Sequence, residues 1–260
     1  MKHPVAFVGA GPGDPELITV KGRRLLREAD CIVYAGSLVP ESLLGWARPE
    51  ARRHNSASLT LEETHALLKE ACLAGDRVVR LHTGDPSLYG AIREQMALLE
   101  KDGIPYEVVP GVSAVFAAAA SLRKELTLPG ISQTVILTRL SGRTPVPEPE
   151  ALRSLATHRA TMAVYLSVQE METVVSELAF SYPPETPVVV AYRVGWPDEL
   201  LLRGTLEDIA SRVKASGIRR QALILIGGVL DPPDDPEAPL RSKLYDETFS
   251  HGYREAKDRA

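Results

Sequence analysis

The first half of the chain alternates between short apolar runs and longer amphipathic segments. Leucines and alanines recur at helical spacing over Thr60–Ala74, and Ser87–Lys101 has a similar amphipathic pattern. Alternation of strands with helices favours a parallel sheet with helices on its faces, so we predict an α/β fold. The predicted strands of this half are Val5–Val8, Cys31–Gly36, Arg77–His82 and Tyr106–Val109.

Each of these strands ends in small or turn-forming residues. The four turns read GAGPGDP, AGS, TGDP and PGVSA in chain order. Ligands of open α/β sheets bind outside the carboxyl ends of the strands. We therefore expect the four turns to face one ligand-binding crevice.

The second half begins near Val112 with a helix of small residues at Ala114–Leu122. Further apolar runs predict strands and helices in turn, and Asp231–Pro239 is rich in proline and acidic residues. We predict domains at residues 1–112 and 113–231 and a C-terminal extension at 232–260. The predicted elements are strands Thr134–Arg139, Met162–Leu166, Pro187–Tyr192, Glu199–Arg203 and Ala222–Leu230, with helices Gln169–Phe180 and Leu206–Ala215.

The first turn is close to a dinucleotide-binding fingerprint but departs from it in detail. Gly9 and Gly11 fit the first two glycines of G-x-G-x-x-G, but the third position holds Asp14. A carboxylate there repels a pyrophosphate, and Pro12 and Pro15 remove amide donors. The turn is suited to a ligand without phosphate. The absence of an acidic residue after the second strand also counts against a dinucleotide oxidoreductase.

Composition narrows the function classes further. The chain has 260 residues and a net charge of −4, which argues against a nucleic-acid scaffold. We see no signal peptide and no apolar stretch near the ~20 residues of a membrane span, so we expect a cytoplasmic protein. The two cysteines form no C-x-x-C and are expected to be buried, reduced thiols. The six histidines are scattered, so we expect no metal site.

No motif for an enzyme nucleophile or a phosphate-binding loop is present, and we assign no catalytic residue. Asp85 before Pro86 is typical of an N-cap, here of the helix Ser87–Lys101. The same turn could also meet a ligand with its backbone. Ser113 is open to either interpretation, as a helix cap or as a ligand contact.

Taken together, the turns resemble one known family. GAGPGDPELIT, YAGSLVPE, HTGDPSLYG, VPGVSA, LTLPG, ILTRLSGR and YRVGWPDE resemble the tetrapyrrole methylases of cobalamin synthesis, in the branch that methylates precorrin-4 or its cobalt form at C-11. The resemblance runs from Val5 to about Leu230, and the tail SKLYDETF is also similar. Ser37 stands where the uroporphyrinogen methylases usually have aspartate.

This resemblance implies two α/β domains of the class III methyltransferase type, with S-adenosylmethionine in the cleft between them. Leu166 and Gln221 depart from the residues common in relatives, methionine and proline respectively. The cofactor contacts that the resemblance implies are Pro12, Thr83, Gly84, Asp85, Leu88, Ser113, Ala114, Leu166, Tyr192, Val194 and Ala222.

The implied reaction is in-line transfer of a methyl group to an electron-rich carbon of a tetrapyrrole. Because such a substrate carries several carboxylates, we expect arginines to bind it, with Arg139, Arg143 and Arg193 as candidates. Relatives imply a homodimer. Two alternatives stay open: a tetrapyrrole methylase acting on another ring carbon, of the uroporphyrinogen-III type, and a non-catalytic binding protein of the same fold.

Overall fold

The computed structural model describes residues 3–36, 38–232 and 242–256. Among these residues the chain forms two compact units. The first contains the described part of Met1–Ser121 together with Arg193–Leu200, and the second contains Leu122–Tyr192 and the described residues from Leu201 onward. The two units therefore divide after Ser121, whereas the sequence pattern placed the domain boundary before residue 113. Ser37 and much of the predicted extension lie outside the described residues.

The first unit contains a five-stranded sheet in the order β3-β2-β4-β1-β5, and its pairings are parallel. Its strands are β1 (Val5–Gly9), β2 (Cys31–Tyr34), β3 (Arg52–Asn55), β4 (Val78–His82) and β5 (Tyr106–Val109). The central strands β1 and β4 are buried along their whole length, which is why β1 is a continuous apolar run; β4 is apolar except for Arg80 and His82. The predicted parallel sheet is confirmed here. Strand β3 was not predicted, because its RRHN sequence belongs to a polar edge strand.

Helices follow the strands of the first unit: α1 (Val20–Glu28), α2 (Glu41–Leu44), α3 (Leu61–Leu73), α4 (Ile92–Lys101) and α5 (Ala114–Leu122). Helix α3 begins with a capping box, in which Thr60 and Glu63 satisfy each other's backbone N–H groups. Helix α4 begins at Ile92 rather than near Ser87, so the predicted start was wrong. The N-cap position of α4 is Ala91, and the prediction that Asp85 caps this helix was wrong as well.

The second unit contains a five-stranded sheet in the order β6-β7-β10-β8-β9. Its strands are β6 (Val135–Arg139), β7 (Thr161–Tyr165), β8 (Pro187–Tyr192), β9 (Leu200–Thr205) and β10 (Ala222–Ile226), and its helices are α6 (Leu152–Ala156), α7 (Met171–Leu178) and α8 (Ile209–Ser216). This sheet is mixed: β6 and β7 are parallel, whereas β10 runs antiparallel to both β7 and β8. The short helix α6 was not predicted from the sequence.

Each unit has its own hydrophobic core. In the first unit, one cluster around Val8, Leu26 and Ile32 and another around Phe7, Leu68 and Leu99 contain residues of the sheet and its helices. In the second, Met162, Ile224 and Leu178 belong to a single cluster. Among the described residues no helix is both long enough and apolar enough to span a bilayer.

Candidate active site

Three turns of the first unit meet at the carboxyl edge of its parallel sheet. The amide of Ala10 donates to the carbonyl of His82 at 2.7 Å, joining the ends of β1 and β4. Beyond them Gly11 and Gly84 exchange backbone hydrogen bonds at 3.3 and 2.8 Å. The carboxyl end of β2 lies at the same edge, because β2 pairs in parallel with β4. The turns thus share one edge of the sheet, and the ligand-binding crevice expected there stays a prediction.

Glycines allow the three backbones to pack without side chains between them. A Cβ added to Gly9 would lie 2.6 Å from the Cα of Gly111, and one added to Gly111 would lie 2.1 Å from the carbonyl oxygen of Gly84. Both distances are far shorter than any real contact, so each position requires glycine. This edge of the sheet is therefore lined by backbone groups rather than by side chains.

Asp85 ties the turn after β4 to the turn after β5. One carboxylate oxygen accepts from the amide of Ser87 at 2.8 Å, and the other accepts from the amide of Gly111 at 2.9 Å. Partial burial acts to raise the pKa of Asp85, but hydrogen bonds from Ser87 and Gly111 outweigh it and lower the pKa below its ordinary value. Asp85 is thus ionised at neutral pH and organises two of the turns.

The first turn does not lead directly into a helix, as a dinucleotide fingerprint requires. Asp14 accepts from the amide of Glu16 at 2.8 Å and caps a short 3₁₀ turn, Pro15–Leu17. Helix α1 begins only at Val20, where the Thr19 hydroxyl accepts from the amide of Gly22 at 3.0 Å. The N-terminal amides of α1 are therefore not offered to a ligand at the glycine turn, which agrees with the phosphate-free ligand predicted from the sequence.

Arg193–Leu200, the segment between β8 and β9, packs on the first turn as part of the first unit. The indole Nε1 of Trp196 donates to the carbonyl of Pro12 at 3.0 Å, and Val194 is buried. The first unit thus gathers many of the predicted cofactor residues along the three turns. These residues are Pro12, Thr83, Gly84, Asp85, Leu88, Ser113, Ala114 and Val194.

The remaining predicted cofactor residues share one edge of the second sheet. Ala222 at the start of β10 pairs with Tyr192 at the end of β8, and Leu166 directly follows β7 on the other side of β10. Leu166 and Gln221 have positive φ angles of 55° and 56°, and Leu166 is 74% exposed. Positive φ angles at residues other than glycine are strained and are found more often at sites that hold a ligand.

The three candidate arginines have different surroundings. Arg139 donates to the carbonyls of Leu140 at 3.3 Å, Thr144 at 2.9 Å and Pro145 at 3.2 Å, so its guanidinium holds its own loop together. Arg143 in that loop is exposed. Arg193 forms an ion pair with Asp198 at 3.0 Å within the first unit.

Sequence reasoning missed a buried polar group beneath the turns. Arg80, 7% exposed, donates through Nε to Gln95 at 2.9 Å and through Nη1 to the hydroxyl of Ser56 at 2.9 Å. Burial lowers the pKa of Arg80 to about 10, and burial together with Arg80 lowers the pKa of His82 to about 3. His82 is therefore neutral at physiological pH. A polar Arg-x-His inside an otherwise apolar strand was the available signal.

The described residues offer little to metal or thiol chemistry. No group of three or more His, Cys, Asp or Glu side chains lies close enough there to hold a metal ion. Cys31 and Cys72 are free, buried thiols, and burial raises the pKa of Cys31 to about 11. The reduced state predicted for both cysteines agrees with this.

The fold and the candidate site define a class: an α/β protein whose parallel strands end in a backbone-lined edge, where α/β sheets bind ligands. The model of the tetrapyrrole (corrin/porphyrin) methylases matches residues 4–210. The chain belongs to this family.

Relatives within the family are similar over nearly their whole length. A cobalt-precorrin-4 C(11)-methyltransferase of Methanocaldococcus jannaschii is 54% identical, over 97% of this chain and 96% of that protein. A precorrin-4 C(11)-methyltransferase of Pseudomonas aeruginosa is 51% identical, over 96% of this chain and 98% of that protein.

The chain is also similar to solved structures of methyltransferases. That of a cobalt-precorrin-4 methyltransferase of cobalamin biosynthesis has a TM-score of 0.86 at 49% identity, over 88% of this chain and 96% of that chain. A uroporphyrin-III C-methyltransferase of Thermus thermophilus, in complex with S-adenyl homocysteine, has a TM-score of 0.75 at 32% identity, over 91% of this chain and 97% of that chain.

Proposed function

We propose that this protein is a C-methyltransferase that transfers a methyl group from S-adenosylmethionine to C-11 of precorrin-4 or cobalt-precorrin-4 in cobalamin biosynthesis. The observation that carries the proposal is the set of near full-length relatives, 46–54% identical, that bear this activity in their names. The relative of uroporphyrin-III type, which represents the alternative ring position, is less similar in both sequence and structure.

The cofactor proposal is supported by the Thermus thermophilus relative bound to S-adenyl homocysteine. The residues of the first unit fit such a ligand. A sulfonium cofactor has no phosphate, so the turn needs neither a helix N-terminus nor the amide donors that Pro12 and Pro15 remove. The Asp14 carboxylate, which would repel a pyrophosphate, is compatible with a positively charged ligand.

Each unit contains some of the proposed cofactor contacts. In the first, the turns around Pro12, Gly84 and Ser113 offer backbone groups, while Asp85 sets the geometry of two turns through Gly111 and Ser87. In the second, Leu166, Tyr192 and Ala222 offer the edge of the second sheet.

When bound, the cofactor supplies a methyl group on a positively charged sulfur. The protein's contribution is to hold the accepting ring carbon in line with that methyl group, which by itself can lower a barrier by roughly 7–11 kcal/mol. Such a transfer needs no enzyme nucleophile. His82, the buried histidine beneath the turns, stays neutral because its pKa is lowered to about 3, and we propose that it supports the turns rather than moving a proton.

Carboxylate groups of the tetrapyrrole would be bound by arginines of the chain. Of the three candidates, we propose Arg143 as the main carboxylate ligand, because it is exposed and Arg139 is already bonded to three carbonyls of its loop. Arg193 is a weaker candidate, because its guanidinium is paired with Asp198. We also propose a homodimer, which light scattering after gel filtration would test.

The test of the function is transfer of a labelled methyl group. The protein is incubated with labelled S-adenosylmethionine and, separately, precorrin-4, cobalt-precorrin-4 or uroporphyrinogen III. We expect label to enter one or both precorrin forms and not uroporphyrinogen III. Labelling of uroporphyrinogen III alone would favour the alternative methylase, and no labelling with cofactor bound would favour a binding protein.

Calorimetry tests the cofactor separately. We expect S-adenosylhomocysteine to bind and NAD to produce no heat of binding. Binding of NAD without a response to S-adenosylhomocysteine would overturn the cofactor proposal.

A further inference from the structure

We infer that Trp196 is a positioning residue, which fixes the turn at Pro12 and Gly13 in the form that binds the cofactor. This inference rests on the proposed function, since it assigns a role within the same site. It concerns only residues of the first unit, to which Arg193–Leu200 belongs.

The first step is a directed hydrogen bond. The indole Nε1 of Trp196 donates to the carbonyl oxygen of Pro12 at 3.0 Å. Proline lacks an N–H group, so its carbonyl is the one backbone polar group with which this residue can be anchored. Gly11, just before it, has φ = +77° and is bonded to Gly84 through its backbone, so the bond from Trp196 extends the anchored part of the turn to Pro12.

The second step is a close fit between ring and turn. A Cβ on Gly13 would lie 2.2 Å from Cδ1 and 2.6 Å from Nε1 of Trp196, so the indole fills the space that any side chain would need. The fit is reciprocal, because Gly195 has φ = +78° and a Cβ there would lie 2.8 Å from the amide nitrogen of Asp14. Residue 13 must be glycine, because a Cβ there would meet both the Trp196 ring and the carbonyl oxygen of Val194, the latter at 2.7 Å.

The third step is that Trp196 is itself held. The guanidinium carbon of Arg193 lies 4.1 Å from the centre of the Trp196 ring, and Arg193 pairs with Asp198 at 3.0 Å. The Glu199 carboxylate accepts from the amide of Gly195 at 2.7 Å. The ring is thus fixed by its own segment and can in turn fix the Pro12 carbonyl.

The chain contains a matched control. It has two tryptophans, and Trp46 also lies in the first unit with an arginine over its ring, Arg23 at 3.6 Å. Trp46 has no contact with the Pro12 turn among those described. Trp196→Phe keeps an aromatic ring against Gly13 and removes the indole N–H, whereas Trp46→Phe makes the same chemical change away from the turn.

Calorimetric titration with S-adenosylhomocysteine is the first test. Loss of one neutral hydrogen bond predicts that Trp196→Phe weakens binding about three- to tenfold, with less than about a twofold change for Trp46→Phe. In steady-state kinetics the KM for S-adenosylmethionine should rise by a similar factor, while the KM for the tetrapyrrole stays that of the parent. A merely structural tryptophan would lower stability without separating the two KM values.

Fluorescence is a second test that leaves Trp196 in place. In the Trp46→Phe protein the emission comes from Trp196 alone, and we expect S-adenosylhomocysteine to shift it with the midpoint seen by calorimetry. Equal affinities of the two phenylalanine variants, or an unshifted Trp196 emission at saturation, would overturn the inference while leaving the proposed function intact. A parent protein that fails to bind S-adenosylhomocysteine would overturn both.

Discussion

Replacing Asp85 with alanine tests whether one carboxylate ties the turn after β4 to the turn after β5. Asp85 accepts from the amides of Ser87 at 2.8 Å and Gly111 at 2.9 Å. Asp14, the other aspartate before a proline in this site, accepts from one amide, that of Glu16 at 2.8 Å. Asp14→Ala is therefore the natural control, since it removes a carboxylate with a single local bond.

The expected magnitudes follow from these bonds. A hydrogen bond to a charged group contributes about 1.5–3 kcal/mol. Because Asp85 is partly exposed, water can bond to the amides that the substitution frees and offset part of the energy lost. We expect Asp85→Ala to lower the free energy of unfolding by about 2–4 kcal/mol. Asp14→Ala should cost about 1 kcal/mol, the typical effect of losing one N-terminal cap.

The pH dependence of the free energy of unfolding provides a second test of the role of Asp85. The pKa of Asp85 is lowered in the folded protein, so its contribution is fully present above the unfolded pKa of about 4 and is lost as the pH falls through the folded value. The difference in the free energy of unfolding between the parent and Asp85→Ala should stay constant from pH 7 to pH 5 and decrease below about pH 4.

Urea unfolding followed by tryptophan fluorescence is a suitable assay, because Trp46 and Trp196 both lie in the first unit and report on it alone. Equal midpoints for Asp85→Ala and Asp14→Ala at pH 7 would refute the bridging role. A difference in the free energy of unfolding between the parent and Asp85→Ala that stays constant down to pH 3 would also refute this role.

Two further predictions concern the arginines and the thiols. Arg143→Ala should raise the KM for the tetrapyrrole about tenfold or more at low salt and by less at high salt, because salt screens an exposed charge pair. Arg139→Ala should mainly loosen its own loop. Equal effects of the two variants on this KM would contradict the assignment of Arg143. Cys31, whose pKa is raised to about 11 by burial, and Cys72 should resist a thiol reagent at pH 8 until urea unfolds the protein, and rapid labelling of the folded protein would contradict their burial.

The elements with strong local patterns were predictable from the sequence. The buried apolar runs at β1 and β8, the short strand β5 and the small-residue helix α5 were predicted from their patterns. The edge strand β3 was missed because RRHN has no apolar face. The antiparallel direction of β10 could not be predicted either, because hydrophobic periodicity does not encode strand direction.

At the site, the sequence predicted which turns lie at one edge of the sheet but wrongly assigned Asp85 as the cap of α4. An aspartate before a proline suits both a helix cap and a turn bonded two residues on, and only the start of α4 at Ile92 separates the two. The contact between Trp196 and Pro12 spans 184 residues, so no local pattern could reveal it. The glycine at position 13 was visible, but the ring that requires it was not.

The measurement that bears most directly on the proposed function is the position of the transferred methyl group. With S-adenosylmethionine carrying ¹³C in its methyl group, the product formed from precorrin-4 or cobalt-precorrin-4 should show one enriched carbon, bonded to C-11 in its NMR spectrum. Attachment of the labelled methyl group to any other ring carbon, or to a heteroatom, would contradict the assignment.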